Sequence, residues 1–361
     1  LRPQRVTLGA AHLCVGRRQM PLGILACLLM SNRTEHWPSA VKTCVGWLFG
    51  CFFLTWVTSC SRTPPESSEE SHSPITWTAI EDGEIWFRNS EIQLRFDGEM
   101  YCRVFLQKDG KLYSINDIPP DAAKAKPPHF LIAGGEEIKD FRVDYRNVGV
   151  SELKTRFGLG RRLHLIGYAK TSQGIEIEKK LAVELYRDYP NIAIVSATYR
   201  NTDSRLSIPI TGAASSFFRM DASRSEPKTQ PYAFWIFLGA GAGSGSSSVQ
   251  RVDAHYSRTV RFDEGHDTAN QAIPLIDLWT SRMGMAISDL SLKPTGSAAK
   301  VSIAADQKLE MVFQTPAPDT LGPDEPFTTS SMVWMVHRGD FQSALQRYQM
   351  LKQASGQRKP A

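Results

Sequence analysis

The sequence predicts an all-β fold, a large antiparallel sandwich closed by a C-terminal helix. Three observations predict it. Ile175, Ile177, Leu181, Val183 and Leu185 alternate with Glu176, Glu178, Lys180, Ala182 and Glu184, the period-two pattern of a strand with one wet face. Short segments of this kind recur at roughly 8–12-residue spacing with no helical pattern between them, which argues a sandwich against a βαβ fold. One helical stripe, Phe341, Leu345, Tyr348 and Leu351, stands behind a capping Asp340, with Gly356 and Pro360 beyond its end.

In chain order the predicted strands begin with Ile85–Arg88, Ile92–Phe96, Arg103–Gln107, Phe141–Tyr145 and Leu163–Tyr168. The alternating segment 175–185 follows, then Ile192–Tyr199 after a turn at Tyr189-Pro190-Asn191. Leu206–Ile210, Val301–Ala304, Leu309–Gln314 and Met332–Val336 complete the set. Asp82-Gly83, Asp97-Gly98 and Asp109-Gly110 read as hairpin turns between the early strands.

Composition narrows the class. The 361 residues are 42% hydrophobic and 22% charged, the balance of a folded protein with a sizeable core. A net charge of +5 is dispersed over pairs such as Arg161-Arg162 and Lys179-Lys180; a nucleic-acid partner, which needs a clustered basic stripe, is not expected. Four of the six cysteines lie in the first 51 residues, and only Cys102 belongs to the body. Between Tyr101 and Val104 it reads as a small buried hydrophobe. No Cys/His cluster has zinc spacing, and no cofactor is expected.

Val45 to Val57 is a 13-residue run without a charge, too short to span a bilayer, which takes about 20 apolar residues. It fits the apolar segment of a signal peptide. The following Val57-Thr58-Ser59-Cys60 resembles the lipobox of bacterial lipoproteins, with Cys60 as the thiol that receives lipid. An ordinary signal peptide or an uncleaved anchor are the alternatives. The Pro/Ser/Glu tract from Ser61 to Ser71 suits a flexible tether. Residues 1–29 carry a second apolar run, and Met30 makes a sensible start, so those residues are expected to be an over-extended reading frame. The expected organisation is 1–59 extension plus signal peptide, 60–74 lipidated cysteine and tether, 75–338 sandwich, and 339–361 helix and linker. The protein is expected to be exported and held at a membrane.

Candidate chemistry is sparse. Gly239 to Gly245 has no strand-then-helix context for a phosphate cradle and reads as a loop leading to a strand at Val249. Asp263, Glu264, His266 and Asp267 lack the spaced acidic loop of a calcium site. Tryptophan faces stack on sugars and also fill cores. Trp334 reads as core, whereas Trp235 and Trp279, with the neighbouring Asp277, lie near loops and are the candidate sugar contacts. No serine or cysteine nucleophile motif occurs, and sequence alone places no carboxylate pair across a sugar.

Several stretches, in order, resemble the N-terminal β-supersandwich of melibiase-type α-galactosidases, in the clan of glycoside hydrolase family 36. They are Gly160-Arg161-Arg162-Leu163, Tyr186-Arg187-Asp188-Tyr189-Pro190, Tyr199-Arg200-Asn201-Thr202, Ile273 to Trp279 and Val336 to Phe341. The resemblance covers roughly residues 80–350 and implies a galactose-mutarotase-like sandwich that braces a catalytic (β/α)₈ barrel. It implies a galactoside ligand for the whole enzyme, with both catalytic carboxylates on the barrel. No catalytic residue carries over to this chain, which by itself is expected to be inactive. Two other readings stay open. One is a free-standing carbohydrate-binding lipoprotein. The other is a mutarotase-like epimerase working by general acid–base transfer, for which His129, His164 and His337 are available.

Overall fold

The computed structural model describes residues 74–79, 83–117, 126–239, 249–262, 273–290 and 296–356. All belong to the compact unit Ser71–Ala361; the other unit, Leu1–Glu70, with Cys60, lies outside them. Among the described residues, 23 strands form three sheets in which every strand pair is antiparallel. The first sheet is a meander of β1 (Thr76–Ala79), β2 (Ile85–Arg88), β3 (Ile92–Phe96), β4 (Cys102–Lys108) and β5 (Lys111–Ser114).

Next come β6 (Phe130–Ala133), β7 (Glu136–Ile138), β8 (Arg142–Val143), β9 (Gly149–Thr155), β10 (Gly158–Lys170) and β11 (Glu176–Tyr186). They are followed by β12 (Tyr189–Asn201), β13 (Ile208–Met220), β14 (Trp235–Phe237), β15 (Val249–Arg251), β16 (Ser257–Phe262) and β17 (Leu275–Trp279). The chain continues through β18 (Gly284–Asp289), β19 (Ser297–Ile303), β20 (Leu309–Thr315), β21 (Thr320–Leu321), β22 (Pro326–Thr328), β23 (Met332–His337) and helix α1 (Phe341–Ala354). The large sheet runs β15-β14-β17-β18-β23-β12-β11-β10-β8, with β9 and β22 at its margins. The facing sheet runs β16-β19-β20-β13-β6-β7, with β21 beside β13.

The period-two pattern explains the core. Leu163, Leu165, Leu181, Val183, Val195 and Trp334 point inward and belong to one apolar cluster shared by all three sheets. Trp334 is the pivot. Its ring meets Phe218 edge-on at 4.9 Å, and its Nε1 donates to Ser216 Oγ at 2.8 Å. A fully buried indole without that acceptor would carry an unmet donor.

A second cluster forms on the outer face of the large sheet. Ile192, Ile194, Leu275, Val333 and Met335 pack there with Ala344, Tyr348 and Leu351 of α1. Strands β17, β18 and β23 are therefore buried on both faces, along their whole length. Asp340 caps α1 as predicted, accepting from the Gln342 amide at 3.0 Å. Gly339, at φ 89°, supplies the left-handed residue that folds the helix back onto the strand it follows.

The structure corrects several boundaries. The turn between β11 and β12 is Arg187-Asp188, and Tyr189-Pro190-Asn191 lies inside β12, beside a register shift at Leu185/Tyr186. Phe141–Tyr145 shrinks to the two residues of β8 and a short 3₁₀ turn. The segment expected at Leu206–Ile210 starts later, at Ile208, and runs on as the 13-residue strand β13. Asp109-Gly110 is a hairpin turn with both residues at positive φ, 52° and 72°. Asp97-Gly98 opens a longer turn, in which Asp97 Oδ1 accepts from the amides of Glu99 and Tyr101.

Candidate functional site

Register brings the candidate residues together. Across the large sheet Trp235 of β14 opposes Trp279 of β17, which opposes Gly284 of β18, which opposes His337 of β23. One row along, Phe237 opposes Asp277, then Ala286, then Met335. Directly opposed residues share a face, and residues two apart share it too. Both rows therefore lie on the outer face, on which α1 packs.

Gly284 makes the central contact feasible. A Cβ at that position would sit 2.4 Å from His337 Cε1 and 2.9 Å from Trp279 Cβ. Without one, the imidazole lies across β18, and its Nε2 meets Asp277 Oδ1 at 2.9 Å. Asp277 is fully buried and His337 is 5% exposed. Burial is the largest influence on the imidazole and opposes its charge, but the Asp277 carboxylate, aided by the Arg338 backbone and Asp340, outweighs it. The histidine is held above its ordinary value and favours the charged form. The other carboxylate oxygen of Asp277 has no hydrogen-bond partner among the described residues.

Aromatic rings close over this pair. Phe341, the first residue of α1, stacks on Phe237 at 4.8 Å and tilts against Trp279 at 6.0 Å. Trp279 is thereby 7% exposed, while Trp235 at the end of the row is 44% exposed. Of the three residues singled out in the sequence, Trp235 alone offers a ring to a ligand at the surface. Trp279 sits in the aromatic seam, and Asp277 is engaged with His337. Sequence reasoning missed that His337 completes the row. Its signal was Gly284, a side-chain-free position at the head of a buried strand.

The remaining candidates occupy separate settings. His129 is buried beside Trp334, ring centres 5.6 Å apart, and burial drives its pKa well down. His164 is exposed on β10. With His337 under α1, the three histidines share no site. Cys102 is free and buried, as expected, and burial pushes its thiol up. Val249 begins a strand, as expected; residues 240–248 and Asp263 to Asp267 lie outside the described residues.

No family profile and no curated protein matches the sequence. Solved structures do. The galactosidase domain of the α-galactosidase-sucrose kinase AgaSK superposes with a TM-score of 0.54 at 10% identity, over 76% of this chain and 43% of that one. The family 36 α-galactosidase AgaB of Geobacillus stearothermophilus gives 0.54 at 12% identity, over 77% and 43%. An α-galactosidase of Lactobacillus brevis gives 0.52 at 13% identity, over 75% and 42%. The fold is that of the sandwich region of these galactosidases. The chain spans less than half the length of each of these proteins.

Proposed function

We propose that this chain supplies the sandwich of an α-galactosidase-like glycoside hydrolase, bracing a catalytic barrel and presenting Trp235 to the sugar. The observation that carries the reading is the fold likeness combined with the outer-face row. Three-quarters of this chain follows enzymes that share little of its sequence, and its one exposed tryptophan of the row is held on β14, a strand hydrogen-bonded to β15 on one side and β17 on the other. A ring fixed there loses little freedom on stacking against the apolar face of a galactose unit. One of the neighbouring solved structures, AgaA of Geobacillus stearothermophilus, is a complex with raffinose, and raffinose is the natural probe here.

Cys60 carries the lipid in this reading, and the Ser61–Ser71 tract tethers the sandwich to a membrane after export. Labelled palmitate entering the wild type but not Cys60→Ser supports the anchor; equal labelling defeats it.

Two experiments test the whole. A product of the complete gene that hydrolyses an α-galactoside, and loses that activity when residues 74–338 are deleted, upholds the bracing role. Activity untouched by the deletion overturns it. Raffinose binding by the isolated chain, abolished by Trp235→Ala, upholds the sugar contact and would also suit a free-standing carbohydrate-binding lipoprotein, which the deletion experiment separates.

A further inference from the structure

A cleft of about 360 Å³ opens on the opposite margin of the large sheet, far along the strand order from Trp235. Its size falls in the range of small-ligand sites, roughly 300–1,000 Å³. Three cationic side chains from three elements converge on it: Lys154 of β9, Arg161 of β10 and Arg187 of the β11–β12 turn. The single carboxylate in its lining is Glu152, so the cleft carries a net excess of positive charge.

The backbone sets this convergence. Lys154 pairs with Leu159, and Glu152 with Arg161, in the β9–β10 register, so all four lie on one face. The Arg187 amide donates to Leu159 O at 2.9 Å, which holds the turn against the start of β10. Arg161 is anchored by Nη1 donating to Ile75 O at 3.1 Å, and Glu152 stands 3.9 Å from its Nη2. Glu152 is 86% exposed and leans outward as a weak partner. Lys154 and Arg187 have no anionic partner among the described residues. Leu159, 46% exposed, adds an apolar wall.

We propose that this cleft binds a phosphate or sulfate ester, with Arg187 and Lys154 as its principal ligands and Arg161 as a fixed third donor. A guanidinium fork matches such an oxyanion with two parallel N–H donors, and an ammonium adds a point charge. Leu159 would contact the carbon body that bears the ester. The same head chemistry occurs on a soluble esterified sugar and on an anionic lipid head group. The site stands apart from the Trp235 row and does not depend on the galactosidase reading.

Calorimetry on the full 361-residue chain, with inorganic phosphate and then inorganic sulfate, tests it. Binding that weakens about tenfold in Arg187→Gln and in Lys154→Gln, and is unchanged in Lys170→Gln at the far end of β10, upholds the proposal. No binding at millimolar anion overturns it. So does equal affinity in the wild type and both variants, or an equal loss in Lys170→Gln. Circular dichroism confirms that each variant is folded. Flotation of Cys60→Ser with phosphatidylglycerol vesicles identifies the source. Co-flotation lost in Arg187→Gln assigns a lipid head group, and anion binding without flotation assigns a soluble ester.

Discussion

The outer face of the large sheet solves the same problem in two ways. Across β14, β17, β18 and β23 it is apolar and closed by α1, which leaves Asp277 and His337 as a buried pair inside it. Away from the helix, across β10, most of β11 and the C-terminal part of β12, it is polar. There Arg162 meets Glu184 at 2.5 Å, and Glu178 gathers Lys180 at 3.3 Å, Arg200 at 3.2 Å and the Tyr168 hydroxyl at 3.2 Å. The lesson is about dielectric. Glu178 is itself buried beneath its partners, but the cations Arg162, Lys180 and Arg200 keep a third or more of their side chains in water and gain little net from pairing, whereas the covered pair is costly to make and costlier to break.

That contrast orders the expected effects of mutation. His337→Ala leaves the Asp277 carboxylate buried and uncompensated, and should destabilise by about 3–5 kcal/mol in denaturant unfolding. Leu351→Ala removes a fully buried side chain that fastens α1, and should cost about 2–5 kcal/mol. Arg200→Ala on the polar half should cost about 1 kcal/mol or less and should matter less still in high salt. Equal losses at His337 and Arg200 would erase the distinction between the halves.

The two faces also answer pH oppositely. His337 is raised above its unfolded value, so the stability it contributes is complete below about pH 6.5 and is lost as pH climbs through the folded value. Lys179 on the inner face is fully buried, hydrogen-bonded to the His129 carbonyl at 2.7 Å, and burial lowers its pKa to about 7. Between that value and its unfolded pKa of about 10.4, the unfolded chain binds the extra proton, so stability rises with pH across this window. Thermal melts from pH 7 to 10 should show the rise in wild type and lose it in Lys179→Met. A rise that survives the substitution would assign it to other groups.

Lys179 also marks the limit of what sequence pattern conveys. The alternation of 175–185 was legible because Ile177, Leu181, Val183 and Leu185 all face inward. Lys179 occupies the same face and breaks the pattern. Nothing in the chain announces that the ammonium is met by a carbonyl 50 residues away and by the Phe141 ring at 4.9 Å. The helix was legible from its cap and stripe, since both are local. The length of β13 was not, because Gly212, Ala213, Ala214, Ser215 and Ser216 carry weak strand preference and are ordered by pairing to β20 and β6. The candidate residues were found, but their roles depend on register. Pairing sets the rows, and only the packing on them shows that Trp279 lies against Phe341, that Asp277 meets His337 and that Trp235 stays in the open.

The central proposal is that Trp235, at the exposed end of the covered rows, contacts the sugar, and that the ion pairs around Arg200 do not. Titration calorimetry of raffinose against wild type, Trp235→Ala and Arg200→Ala tests it in one series. The account predicts binding by the wild type and Arg200→Ala alike, and none by Trp235→Ala. Binding retained in Trp235→Ala, or lost in Arg200→Ala, would contradict it.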